Sequence, residues 1–315
     1  MATDRNCSRR DVNLWSAGFG AALLSAQLMH PAQAQGAKPL LRRAIPHGNG
    51  ETLPVVGVGT SQVFEVGPSA ADRAGPTAVV QALIEGGGTL IDTAPSYGTA
   101  EAVVGDILAS TNLRSRAFIA TKLEYFRPGA EEAEAQDCLR ALKTNKLDVL
   151  QLHNVRNPNQ DMKGLEALKA RGLCRYTGVT TTFESAYDAA EAVVKRTRPD
   201  FLEVDYAINN REVESRILPA AADAGTAVLV ALPFGRGRLF RTALGKKLPD
   251  WAAEIDCPSW GVFFLKFILS HPAVTAVIPG TSNPKHMLDN LNAGRGRLPD
   301  AKERERMAQH VESLG

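Results

Sequence analysis

Four side chains in this sequence have the types and spacing to move a proton. The segment GTLIDTAPSYG ends an apolar run in a carboxylate, Asp92, and puts a phenol, Tyr97, in the turn that follows. About thirty residues on, AFIATK ends in Lys122, and after a similar step LDVLQLHN brings His153. Each alone has an ordinary explanation. A strand-end aspartate caps the next helix, a lone lysine or histidine there is structural, and a tyrosine beside a glycine anchors a loop. Together they describe acid–base chemistry. A tyrosine ionises near pH 10, and a neighbouring ammonium favours the phenolate and lowers that value. The set therefore predicts Tyr97 as general acid toward a carbonyl oxygen, or as base in reverse. Lys122 would tune it, Asp92 would seat Lys122, and His153 would orient the carbonyl and share the proton. The pattern pairs no nucleophile with a base, and no cluster has metal-ligand spacing.

The elements that must carry these residues repeat. Apolar, strand-like runs lie at 55–60, 89–93, 117–121, 147–153, 176–180, 201–207, 227–233 and 273–279, with helical patterns between them and a last charged helix near 300–312. Eight strand–helix units in a row predict an α/β protein, a (β/α)8 TIM barrel. The strand runs are nearly continuous in Val, Leu and Ile, as burial on both faces requires. LLRRAIPHGNGETLP reads as a short N-terminal β-hairpin. The competing architecture, a doubly wound open sheet, usually carries a glycine-rich turn after its first strand; here that strand ends GVGTSQVF. In a barrel, active sites form at the C-terminal strand ends, and phosphate sites in the loops after strands 7 and 8. Those loops are PFGRGRLF, with Pro233, Phe234, Gly235, Arg236 and Arg238, and PGTSNPKHMLDN, with Gly280, Thr281, Ser282, His286 and Asn290. Backbone N–H groups at the start of the helix after strand 8 could take an anion.

The 315 residues and a formal charge of +2, with basic residues scattered along the chain, exclude a dedicated nucleic-acid binder. The N-terminus has a different character. SRRDVNL, then LWSAGFGAALLSAQLM, then PAQAQ follow the order basic region, apolar region, small-residue cleavage site. The pair Arg9–Arg10 is similar to a bacterial twin-arginine export signal, although Val12 stands where phenylalanine is usual. The expectation is a signal over 1–34, transient use of the export machinery, cleavage after Ala34 and a periplasmic barrel of residues 35–315. The apolar run is too short for a stable membrane span. Cys138, Cys174 and Cys257 show no C-x-x-C spacing; Cys138 lies on an apolar helix face and reads as a packing residue.

The motifs LPVVGVGT, IDTAPSYG, FIATK, LDVLQLHN, YTGVTT, PFGRGRLF and VIPGTSNPKHMLDN, in that order, resemble the aldo-keto reductases over almost the whole of residues 35–315. The resemblance implies NAD(P)H-dependent reduction of an aldehyde or ketone to an alcohol, in the alcohol dehydrogenase or carbonyl reductase class. It implies Asp92, Tyr97, Lys122 and His153 as the catalytic tetrad. It also implies cofactor contacts from Gly59, Thr60, Asp92, Thr180, Thr181 and Glu203 and from the two loops above, with NADP(H) favoured over NAD(H). The chain departs from the common pattern in several places. Thr180–Thr181 replaces a serine–asparagine pair, Glu203 replaces a glutamine, Ala231–Leu232 replaces an aromatic, and Gly280 and His286 stand where lysine and arginine often grip a 2′-phosphate. Two other readings remain at this stage: a cofactor-binding regulatory barrel without significant turnover, and a lyase forming a Schiff base on Lys122.

Overall fold

The computed structural model describes residues 38–124 and 129–315. The expected export signal lies outside the described residues. The chain opens with an antiparallel hairpin, β1 (Arg42–Ala44) and β2 (Thr52–Pro54), turning where Asn49 and Gly50 adopt φ of 50° and 87°. Eight parallel strands follow: β3 (Val58–Gly59), β4 (Leu90–Asp92), β5 (Phe118–Leu123), β6 (Leu147–Leu152), β7 (Cys174–Thr181), β8 (Phe201–Asp205), β9 (Ala227–Ala231) and β10 (Val274–Val277). They hydrogen-bond in chain order, and the two edges meet through parallel bridges at Val56–Val277 and Gly59–Gly280. The helices are α1 (Ala70–Glu85), α2 (Ala100–Ser110), α3 (Glu131–Ala141), α4 (Lys163–Ala170), α5 (Tyr187–Thr197), α6 (Ile217–Ala224), α7 (Arg238–Thr242), α8 (Trp260–Leu269), α9 (Pro284–Ala293) and α10 (Ala301–Glu312). This is the expected (β/α)8 barrel with its hairpin.

Side chains alternate across a strand with period two, and that alternation builds the site. Leu90, Phe118, Ala120, Val149, Tyr176, Phe201 and Leu229 form one buried apolar cluster, joined by Ile45 and Leu53 of the hairpin segment. Phe118, Tyr176 and Phe201 pack ring against ring, with centroids 5.5–6.2 Å apart. Two residues further along the same strands stand Asp92, Lys122, Gln151 and Glu203, all buried. The barrel interior is thus an apolar layer with a polar layer stacked on it toward the C-terminal strand ends. At the corresponding position β7 has Gly178. A Cβ there would come within 2.9 Å of Gln151 Cγ and 3.0 Å of the Phe201 carbonyl, so the missing side chain makes room for Gln151. The other faces of the strands pack on the helices in a second, larger core.

Some boundaries differ from the sequence reading, for local reasons. The helical pattern legible from Pro76 onward begins six residues earlier, at Ala70, because Ser69 and Asp72 form a reciprocal capping box there. Pro76 therefore lies within the helix. The first barrel strand shrinks to two residues because Val55 bonds instead to Leu41 on one side and Val277 on the other. Between β9 and α8 the chain forms α7 and a 3-10 segment, Asp250–Ile255, that no periodicity announced. Cys138, Cys174 and Cys257 are free and buried. Among the described residues, no helix is long and apolar enough to cross a membrane.

Candidate active site

The barrel brings Asp92, Tyr97, Lys122 and His153 together at its C-terminal mouth. Lys122 lies on β5 with none of its side chain exposed, and its Nζ donates to both Asp92 oxygens at 2.7 Å and to the Thr93 carbonyl at 3.0 Å. Tyr97, in the loop after β4, covers this pair; its ring centroid is 5.2 Å from Lys122 Nζ. The His153 ring stands edge-on to that of Tyr97, centroids 5.9 Å apart and planes at 79°. Hydrogen bonds hold both backbones, from Tyr97 N–H to the Ala94 carbonyl at 3.1 Å and from His153 N–H to the Leu123 carbonyl at 3.0 Å.

Two carboxylates that sequence reasoning did not place here complete the arrangement. Glu124, just past β5, lies 2.9 Å from His153 Nδ1 and accepts from the Ser96 N–H at 3.2 Å. Burial works to raise the Glu124 pKa, but the hydrogen bonds from His153 and Ser96 and the His153 charge outweigh it and hold it at about 2. A carboxylate only accepts, so Nδ1 carries the proton of that bond and Nε2 is left for the substrate side. Glu203, inward-facing on β8, lies 3.2 Å from Lys122 Nζ and accepts from Gln151 Nε2 at 3.0 Å. The family resemblance implied a cofactor contact for it; its contacts here are Lys122 and Gln151. The signal for Gln151 was the alternation in LDVLQLH, where a polar residue falls on the inward face. The signal for Glu124 was its place one residue beyond the β5 end.

The electrostatics correct one expectation. Lys122 does pull the Tyr97 pKa down, as the sequence suggested, yet burial, together with the charges of Asp92 and Glu203, leaves it above the ordinary value. Burial alone would lower the lysine, but Asp92, Glu203 and Tyr97 hold its pKa above the usual range. Burial and then the Glu203 charge push Asp92 well up.

The residues expected to hold a cofactor fall into three groups. Phe234, Gly280, Thr281, His286 and Asn290 line one cavity of about 370 Å³. Phe240, Trp260 and Asp289, which the sequence reading did not single out, line it too. Phe234 packs on Phe240 at 4.7 Å, and Asn283 caps α9 at the cavity's edge. Across the barrel seam, Gly59 bridges Gly280 and Thr60 follows it, its Oγ1 buried without a partner; the same is true of Thr93 Oγ1. Thr180 and Thr181 are buried at the end of β7, and Thr180 Oγ1 accepts from the Asn154 N–H at 2.7 Å. Arg236 and Arg238 are exposed, do not line the cavity, and bear on Asp205 instead, whose pKa burial holds above the usual range against their pull. Pro233 and Gly235 are buried in the turn before α7, where Gly235 has φ of 55° and packs on Asn209. Ser282 is exposed in the turn before α9. A second cavity, of about 490 Å³, opens beside His153 and is lined by Glu124, Asn154, Arg156, Asn157 and Phe183, among others.

A buried Asp–Lys pair under a tyrosine, beside a histidine at the mouth of a (β/α)8 barrel, makes an acid–base site. The chain belongs to the aldo/keto reductase family, whose model matches residues 55–312. It is similar to the methylglyoxal reductase YeaE of Escherichia coli, 30% identical over 246 residues that cover 76% of this chain and 84% of that one. A crystal structure of an aldo/keto reductase from Klebsiella pneumoniae in complex with NADP and acetate superposes with a TM-score of 0.70. It is 24% identical, with 86% of this chain and 96% of that chain covered. The holo form of AKR11C1 from Bacillus halodurans superposes with a TM-score of 0.68, at 22% identity and 88% and 96% coverage.

Proposed function

We propose that the protein reduces an aldehyde or ketone to the alcohol with NAD(P)H. The observation that carries this reading is the bidentate Asp92–Lys122 pair held beneath Tyr97, with His153 edge-on to the tyrosine. The names of its relatives support it, a methylglyoxal reductase and a reductase complexed with NADP. The cofactor, when bound, supplies the hydride. The residues present suit such a group. The Thr60 and Thr93 hydroxyls are buried at the mouth without partners, and an aromatic-lined cavity meets the N-terminus of α9. Thr180, Thr181, Gly280, Thr281, His286 and Asn290 would hold it.

In the proposed reaction the His153 ring, held from Nδ1 by Glu124, sets the orientation of the carbonyl. Tyr97 gives its proton to the carbonyl oxygen as charge builds there. Lys122 stays charged throughout, anchored by Asp92. A panel of aldehydes and ketones assayed with NADPH and with NADH tests the reading; cofactor binding without turnover on any of them would favour a binding barrel.

Within this proposal NADP(H) is preferred, but modestly. Among the described residues lining the cavity, His286 is the single one that can become a cation, and Asp289 faces the same space. His286→Arg is expected to tighten NADPH binding several-fold more than NADH, because a guanidinium takes a phosphate bidentately. Fluorescence titration of the two cofactors checks this, and equal gains would move His286 away from the 2′-phosphate.

The proposal extends to location. The Arg9–Arg10 signal would direct a folded barrel to the periplasm. A cofactor bound before export stabilises the folded form by mass action. Changing Arg9 and Arg10 to lysine is expected to leave unprocessed chain in the cytoplasm, read by fractionation and blotting. Normal export of that variant would assign the signal to the general secretory route.

A further inference from the structure

Lys122 faces two carboxylates. Its Nζ is 2.7 Å from both Asp92 oxygens and 3.2 Å from Glu203 Oε2, and the three side chains are 0–3% exposed. Glu203 is fixed in that position from the other side by Gln151 Nε2, 3.0 Å from the same oxygen. One ammonium therefore answers two acids in a buried layer, where Coulomb interactions are screened far less than in solvent. Tyr97 is the next group out, its ring 5.2 Å from the ammonium. We propose that Glu203 is a positioning residue that neutralises Lys122 a second time and so sets the pH range over which Tyr97 keeps its proton.

Charged and titratable groups surround Tyr97 from several elements. From β5 comes Lys122, from β4 Asp92, from β8 Glu203 and from the loop after β6 His153, with Glu65 beside Gly98 of the tyrosine's own loop. Glu124 sits one contact behind, on His153 and the Ser96 N–H. Lys122 alone would draw the phenol toward phenolate. One ionised carboxylate makes the cluster neutral, and ionising the second leaves it short of one positive charge. The second carboxylate thus removes the attraction that the first leaves over. The direction agrees with the raised ionisation of Tyr97, in which burial and both carboxylates oppose Lys122. It also agrees with the raised Asp92, on which Glu203 acts after burial. By this account the proton transferred in the proposed reduction stays on Tyr97 to unusually high pH. Glu203 acts through Lys122 without touching the substrate.

The proposal rests on the carbonyl-reductase reading only for its activity arm; its other arm needs no cofactor. The full chain contains five tyrosines, so the phenolate absorbance of Tyr97 is obtained by subtracting the titration of Tyr97→Phe from that of the parent. Repeating this in a Glu203→Gln background is expected to show Tyr97 ionising at a pH lower by about one unit, because Lys122, no longer shared, then acts on the phenol as a nearby opposite charge, worth about 1–3 units at close range. The alkaline limb of kcat/KM for reduction should move down by the same amount. Glu203→Met removes the charge without leaving an amide and should give the same two shifts. An unmoved Tyr97 titration, with cofactor affinity alone altered, would overturn the proposal and make Glu203 a direct nicotinamide contact. A parent Tyr97 that ionises at or below the ordinary tyrosine value of 10.0 would also count against the proposal. A parent with no turnover on any carbonyl would remove the proposed function while leaving the absorbance arm able to decide this one.

Discussion

Replacing Tyr97 with phenylalanine is expected to lower kcat by a factor of about 10²–10⁴, the usual worth of a positioned general acid, while the barrel and its cofactor affinity survive. The side chain is partly buried and packs against the large core, so its ring remains in place in the variant. Lys122, the group beneath it, keeps its bonds to Asp92 and to the Thr93 carbonyl, so no buried donor is stranded. The change removes the proton and little else. Steady-state reduction of any carbonyl that the parent accepts, with cofactor affinity measured separately, checks this. Turnover equal to the parent's would assign the proton to another group, and His153, with Glu124 behind it, is the one the geometry offers.

Lys122→Met is expected to be as damaging to turnover and, unlike the tyrosine variant, to stability as well. The methionine fills the volume but leaves Asp92 and Glu203 facing each other without a cation, and breaking a buried pair in this way costs about 3–5 kcal/mol. The loss should depend on pH with a definite sign. Asp92 is already raised above its ordinary 3.8 by burial and then by Glu203, and deleting the lysine removes the main influence that lowers it. A folded carboxyl with a raised pKa holds a proton that the unfolded chain releases. Stability is therefore fully present below the unfolded value and lost as pH rises toward the folded one, at about 1.4 kcal/mol per unit in that window. The melting temperature of Lys122→Met should thus fall from acid toward neutral pH more steeply than the parent's. Parallel curves would show that the two carboxylates have found other partners.

Much of the site was legible in the linear chain. IDTAPSYG, ATK and QLHN end their runs at equivalent heights because each strand–helix unit consumes a similar length of chain. Parallel strands buried on both faces also have to be written as short aliphatic runs. Those two regularities suffice to place Asp92, Lys122 and His153 on neighbouring strands, with Tyr97 above them, before any coordinates. What the chain could not show is who meets whom across the interior. Lys122 and Glu203 are carried by strands three places apart around the barrel. Their 3.2 Å contact depends on how far the strands are staggered and tilted when the sheet closes, a property of all eight together. The same closure puts Glu124 against His153 and packs Phe234, Trp260 and His286 around one cavity, from segments far apart in sequence. It also reversed the expected net shift of Tyr97. Local spacing identifies the ammonium beside the phenol, but only the closed barrel determines how many carboxylates share that ammonium and how deeply they are buried.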